Sequence, residues 1–313
     1  MSKKLNIGGQ AVIEGVMMRS PKYYSIALRK KDGTIITKLE PFKSITQKKK
    51  FLDKAFIRGI IALFETIVLG VKTLSFSADE YMKDYEEDEK KEVKPKKEGK
   101  INWELTLTII TSFAFGIALF VALPLFLANI IKGFWQQSSH YIVYNAIDGI
   151  MRLLVFLIYV VAISFLKDIQ RVFQYHGAEH KSVFAYENGL ELNVENVKKY
   201  GTLHPRCGTN FMLVVIVLSI FVISVFKFDT FLHKFLVRLV VLPLVASLSY
   251  EVIRFLGKHH HKKWAKILLW PGLFLQKLTT KEPDNEQIEV AINALNAVVI
   301  AEASETNEEP VNV

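Results

Sequence analysis

The chain has 313 residues, half of them hydrophobic, with a single cysteine and a net charge of +9, and its mean hydropathy is positive. That composition is too apolar for an ordinary soluble domain, and one cysteine excludes a disulfide within the chain. The basic excess calls for no nucleic-acid partner, because Lys and Arg concentrate in segments expected to face the anionic headgroups of an inner membrane leaflet.

The first fifty residues are polar and basic, without the apolar core of a cleavable signal, so insertion is expected to rest on internal segments. Residues 8–21 are apolar and glycine-punctuated around Glu14, but they lack phosphate-loop spacing and are not read as nucleotide binding. Residues 25–29 and 34–37 flank Lys31-Asp32-Gly33. Asp-Gly between β-rich runs predicts a tight hairpin, hence a small β element within a cytoplasmic segment 1–50. Residues 51–78 are apolar nearly all round from Ala55 to Val71 and have basic clusters on both flanks. A crossing would strand one cluster outside, so an interfacial or re-entrant helix is expected. The mixed-charge run 79–100, with Pro95, reads as a solvated linker.

Within a membrane domain spanning 101–256, four segments approach the roughly 20 apolar residues a span requires: 105–131, 150–166, 211–226 and 235–256. Pro124 allows the first of them to kink. The loop 132–149 carries Lys132 alone, whereas the loop 167–210 carries Lys167, Arg171, Lys181, Lys198, Lys199 and Arg206. The fourth segment exits into Arg254, Lys258, Lys262, Lys263 and Lys266. This bias predicts a multi-pass protein with both termini and the 167–210 loop in the cytoplasm, where Cys207 stays reduced.

That loop carries the chemistry. In His176-Gly177-Ala178-Glu179-His180 the two histidines are at i and i+4, on one helix face, with a carboxylate beside them. His-x-x-Glu-His is the inverted zinc peptidase motif, in which the histidines bind the ion and the glutamate polarises its water. The stripe Ile169, Val172, Phe173, His176, His180, Val183, Phe184 places both imidazoles on a packed face. Asn188-Gly189 ends the helix, 193–200 can form a short second one, and the chain turns back at His204-Pro205-Arg206-Cys207-Gly208-Thr209-Asn210. Such a hairpin can return His204 or Cys207 as third ligand, and the sequence does not choose between them. The alternative reading makes residues 205–208 an entry turn, with Arg206 on lipid phosphates. Glu251, near the end of the fourth segment, is a further candidate ligand or a partner for a ligand histidine. An ion pair with Arg254 is its plainer reading. Glu187 is a weaker candidate. The site is therefore expected to hold a divalent metal, zinc by ligand type, with Glu179 as general base.

Residues 257–281 combine Lys258 to Lys263 with Trp264 and Trp270, which suits an interfacial basic and aromatic segment. Within the acidic tail 282–313, Ile288, Ala291, Ile292 and Leu295 predict an amphipathic helix packed on the cytoplasmic domain, and the end beyond Ser304 is expected to be disordered.

Three stretches together, from Gly9-Gln10-Ala11-Val12-Ile13-Glu14-Gly15 to Arg19, from His176 to Lys181, and from His204 to Phe211, resemble the YqhQ-like family of bacterial membrane proteins. The resemblance covers residues 8–295. It implies a bacterial plasma-membrane location and a domain of unknown function whose members are labelled predicted metal-dependent enzymes. The expected fold is mainly α: a polytopic α-helical membrane protein with about four transmembrane helices, a small N-terminal β element and a cytoplasmic helical hairpin. The expected function is metal-assisted hydrolysis of a membrane-proximal peptide or lipid headgroup. The alternative is a non-catalytic scaffold or assembly factor that recruits a membrane-protein partner, with a structural ion or none. Transport through Glu251 has least support, since repeats and paired broken helices are lacking.

Overall fold

Period-two alternation at the N-terminus builds a sheet. Strands β1 (Gly8–Val12), β2 (Gly15–Arg19), β3 (Tyr23–Arg29) and β4 (Ile35–Pro41) form a four-stranded antiparallel meander in the order β1-β2-β3-β4. The computed structural model describes residues 5–48, 50–88, 103–135, 140–227, 230–259 and 261–306. The predicted hairpin is β3/β4, with Gly33 at φ 86° in its turn. The glycine-punctuated stretch supplies the other hairpin, turned at Glu14, which holds φ 52°. Val16, Met18 and Ala27 point to one face of the sheet, and Met17, Ile26 and Leu28 to the other.

Each face is covered. On the first lie α6 (Lys167–Glu187) and α11 (Asn285–Thr306), with α7 (Val194–Lys198) beside them. Ile288, Ala291, Ile292 and Leu295 are all buried there, joined by Val298 and Val299, so α11 belongs to the core of this lobe. Residues beyond 306 lie outside those described.

On the second face, after the short helix α1 (Ile45–Lys48), lies α2 (Ile57–Asp88). Its polar groups are taken up by the sheet and the segment after it. Gln10 Nε2 donates to Thr73 Oγ1 at 2.8 Å, Ile13 N to Ser77 Oγ at 3.2 Å, and Ile45 N to Glu65 Oε1 at 2.6 Å. Lys72, with Tyr24 and Lys38, holds the Glu40 carboxyl down at about 2. The opposite face of α2 leaves Ile57, Phe64, Val68, Val71 and Leu74 exposed. The helix is continuous over 32 residues, longer than the expected 51–78 segment. The charged run 79–100, expected as a linker, is helical through Asp88; 89–100 lies outside the described residues. The β3/β4 hairpin reaches this run, where Asp84 accepts from Lys31 N at 3.2 Å and pairs with Lys30 at 3.4 Å, and local composition carried no sign of that support.

The apolar bundle contains α3 (Trp103–Ile117), which passes through a π-helical turn (Ala118–Ala122) into α4 (Leu123–Phe134), then α5 (Tyr141–Ile163), α8 (Gly208–Ser224), α9 (Phe231–Lys258) and α10 (Lys263–Thr279). Pro124 has no N–H for the carbonyl four residues back, and the π turn just before it absorbs the mismatch. Among the described residues four helices are long and apolar enough to cross a membrane: Ile57–Asp84, Leu107–Phe134, Tyr141–Ile163 and Phe231–Lys258. The expected number is met with a different membership, because α2 has the length and α8, with 17 residues, falls short. α5 begins at Tyr141 and not at residue 150. Its first turns hold Asn145 and Asp148, whose polarity marks a loop in the sequence but is satisfied inside the bundle. Asn145 Nδ2, for one, donates to the carbonyls of Ile223 and Phe226 at 3.1 Å each.

Candidate metal centre

α6 packs on the sheet with α11 beside it, and from Tyr175 to Tyr186 it is buried on almost every side. Its start is held by Glu14, whose carboxylate accepts from Arg171 Nη2 at 2.5 Å and from Tyr175 OH at 3.3 Å. Burial first, and the charge of Glu14 next, push the Tyr175 hydroxyl above its ordinary value, while the bond to Glu14 raises Arg171. One turn further on, the rings of His176 and His180 lie 4.4 Å apart.

Each imidazole is oriented from behind by a main-chain carbonyl. His176 Nδ1–H donates to Thr279 O at 2.9 Å, and His180 Nδ1–H donates to Thr202 O. A carbonyl only accepts, so Nδ1 carries a proton in both rings and Nε2 is the nitrogen left to face the cluster. Main-chain tethering of this kind fixes the tautomer of histidines that bind metal ions.

Cys207 closes the group. It is the N-cap of α8, its Sγ lies 3.3 Å from His176 Nε2, and Thr209 N and Oγ1 approach the sulfur at 3.4 and 3.2 Å. One ligand atom from each of His176, His180 and Cys207 lies within 4.8 Å of the others. Two imidazoles tethered at Nδ1 and a sulfur are a donor set that fits zinc and its borderline-soft neighbours. Glu179 is outside that trio but adjoins it, with Oε2 3.4 Å from His180 Nε2 and the residue 5% exposed. Strand β1 walls it in, since any side chain at Gly9 would press on Glu179 and on the Met17 carbonyl.

The other expected site residues are engaged differently. His204 Nδ1 accepts from Arg206 N at 3.3 Å and its Nε2–H donates to Glu187 Oε2 at 3.4 Å, so both ring nitrogens are engaged outside the trio. Glu187 also pairs with Arg206, which donates to Asn6 Oδ1 at 2.6 Å. Burial lowers the Arg206 guanidinium, and the nearby charge of Glu179 opposes the shift. Arg206 is thus held by side chains of the sheet lobe. Glu251 is brought neither to the trio nor primarily to Arg254: Arg58 of α2 grips it, Nε to Oε1 at 2.6 Å and Nη2 to Oε2 at 2.5 Å.

Three supporting residues were not foreseen. Thr202 and Thr279 act through carbonyls, which leave no mark in a side-chain pattern. Gln276 is fully buried and clamps the second motif by accepting from His204 N and donating to His204 O, both at 2.8 Å. A lone glutamine in an apolar and aromatic helix was the available signal.

Comparison with known proteins agrees with the motif resemblance. The chain is similar to the family described as "Protein of unknown function (DUF1385)", matched over residues 55–301. It is 38% identical over 306 residues to the uncharacterized protein YqhQ of Bacillus subtilis (strain 168), covering 97% of this chain and 95% of that protein. No solved structure matches it. The matched residues include His176, Glu179, His180 and Cys207. Neither description assigns an activity, so the metal-dependent label implied by the resemblance gains nothing from them.

Proposed function

Since the chain belongs to the DUF1385 family, whose description leaves its chemistry open, we propose from the cluster itself that the protein is a metal-dependent hydrolase at a membrane surface. The observation that carries this reading is the pair His176 and His180, each held at Nδ1 by a carbonyl, with His176 Nε2 3.3 Å from Cys207 Sγ and a ligand atom of each of the three within 4.8 Å of the others. These three residues would hold a divalent ion. When bound, an ion of the zinc type supplies Lewis-acid activation of water. Three protein ligands is the count of a catalytic site, whereas structural sites are closed by a fourth. Glu179, beside His180, is placed to take a proton from water and to return it to a leaving group.

Four apolar helices are compatible with a multi-pass membrane protein. In our reading α3 with α4, α5, α8 and α9 cross the bilayer. α2, bound to the sheet on one face and apolar on the other, lies along the cytoplasmic interface with α10, whose Trp264, Ile267, Trp270 and Phe274 are exposed. Cys207 opens α8 and Thr279 ends α10, so the cluster sits where helices leave the bundle. The substrates that reach such a site are a juxtamembrane peptide segment or a lipid headgroup.

Burial of Glu179 and His180 favours a second reading, a structural ion that ties α6 to α8 in a scaffold. Glu179→Gln separates the two. It is expected to retain the metal and to lower metal-dependent hydrolysis of membrane-proximal peptides or lipids in proteoliposomes by about 100-fold or more. Full cellular function of E179Q would rule out the hydrolase and leave the scaffold.

A further inference from the structure

At the end of the bundle away from Cys207, α5, α8 and α9 enclose three ionised side chains that the metal cluster does not use. Asp148 and Arg238 are each 2% exposed and Arg152 is 11% exposed. Ser219, which also touches this group, lies roughly 16 Å along α8 from its first residue at 1.5 Å per residue. All carboxylate contacts fall on one oxygen. Arg238 Nε and Nη2 donate to Asp148 Oδ2 at 3.0 and 2.8 Å, and Arg152 Nη2 at 3.1 Å. Arg152 Nη1 donates to Ser219 Oγ at 2.9 Å. Two buried atoms have no hydrogen-bond partner among the described residues, the acceptor Asp148 Oδ1 and the donor Arg152 Nε.

Charge does not balance here. Arginine stays protonated in proteins, so two guanidinium groups share one carboxylate in apolar surroundings. The neighbouring sequence deepens the imbalance, since residues 130–152 and 219–240 contain Lys132, Arg152, Lys227, Lys234 and Arg238 against Asp148 and Asp229. Ionisable groups inside a membrane bundle point to a functional site, and basic pockets between membrane helices take up anionic headgroups.

We propose that this end of the bundle binds a phosphate group. Its negative charge compensates the second arginine, an oxygen accepts from Arg152 Nε, and a hydroxyl carried by the phosphate or its headgroup donates to Asp148 Oδ1. Arg152, the most exposed of the three, is the point of access from the bundle surface. An anionic lipid such as phosphatidylglycerol offers the phosphate together with hydroxyl donors, and hydrogen phosphate offers the same chemistry in solution.

Thermal unfolding of the full chain in micelles tests this, with inorganic phosphate against chloride at equal ionic strength and with phosphatidylglycerol against phosphatidylcholine. A ligand that binds only the folded state raises Tm, here by about 2–4 °C. The rise is expected to vanish in Arg152→Gln, which keeps the Asp148–Arg238 pair. A rise with phosphatidylglycerol alone identifies a lipid; a rise with both ligands identifies the phosphate group itself; a rise with phosphate alone identifies a soluble anion. No rise in either arm, or an equal rise in R152Q, overturns the proposal. The response of the unaltered chain is decisive by itself should R152Q not fold.

Discussion

Asp148→Asn is expected to destabilise the protein by about 3–5 kcal/mol, as does breaking a buried ion pair from one side. The asparagine oxygen can still accept a hydrogen bond, so the loss is one of charge. Arg238, 2% exposed, and Arg152 would both stay ionised without the carboxylate they share. Because Asp148 belongs to α5 and Arg238 to α9, and Arg152 reaches Ser219 of α8, the damage should spread through the three helices and not remain local. Denaturant unfolding in micelles, followed by far-UV circular dichroism, measures the difference. Arg152→Gln provides the contrast: it removes the surplus cation, leaves Asp148 and Arg238 paired, and should cost far less. Equal stability of D148N and the unaltered chain would show that the triad does not hold the bundle together.

The second large effect is expected from Gly177→Ala. On an exposed helix this change gains about 1 kcal/mol from helix propensity. Here the added methyl would run into the Lys281 carbonyl oxygen and crowd Thr202. Lys281 is part of a segment laid across α6: its N–H donates to Phe173 O, Glu282 pairs with Lys181, and Thr279 O receives the proton of His176 Nδ1. Pushing that segment outward loosens the carbonyl that orients His176. A net destabilisation of about 1–3 kcal/mol is expected from overpacking, together with metal binding weakened by about 10–100-fold through the lost tether. Isothermal titration with zinc and thermal unfolding read the two effects separately. A variant more stable than the parent, with unchanged affinity, would contradict the close packing of this segment.

The parts legible in the sequence are those set by local pattern. Asp32-Gly33 between β-rich runs located β3 and β4, Ile288 to Leu295 identified the buried face of α11, and the four-residue spacing of His176 and His180 placed both rings on one side of α6. What pattern leaves open is decided by partners distant in sequence. Geometry groups Cys207 and not His204 with the two histidines, since Arg206 N and Glu187 occupy both nitrogens of His204. Glu251 finds Arg58 across 193 residues of chain, so a reading confined to neighbours favours Arg254. The first turns of α5 look like a loop because Asn145 and Asp148 are polar, and only the assembled bundle satisfies them. Glu14 reverses the chain at φ 52°, where glycine or asparagine is the usual signal, which hides the β1/β2 turn.

A metal site built from His176, His180 and Cys207 would show in the metal content of the protein. Elemental analysis of the untagged, detergent-purified chain, beside a folded His176→Ala/His180→Ala variant, tests it most directly. About one equivalent of zinc or a similar transition metal per chain is expected in the native protein, and its loss in the variant. Absence of metal from the native protein, persisting after reconstitution with zinc, would contradict it.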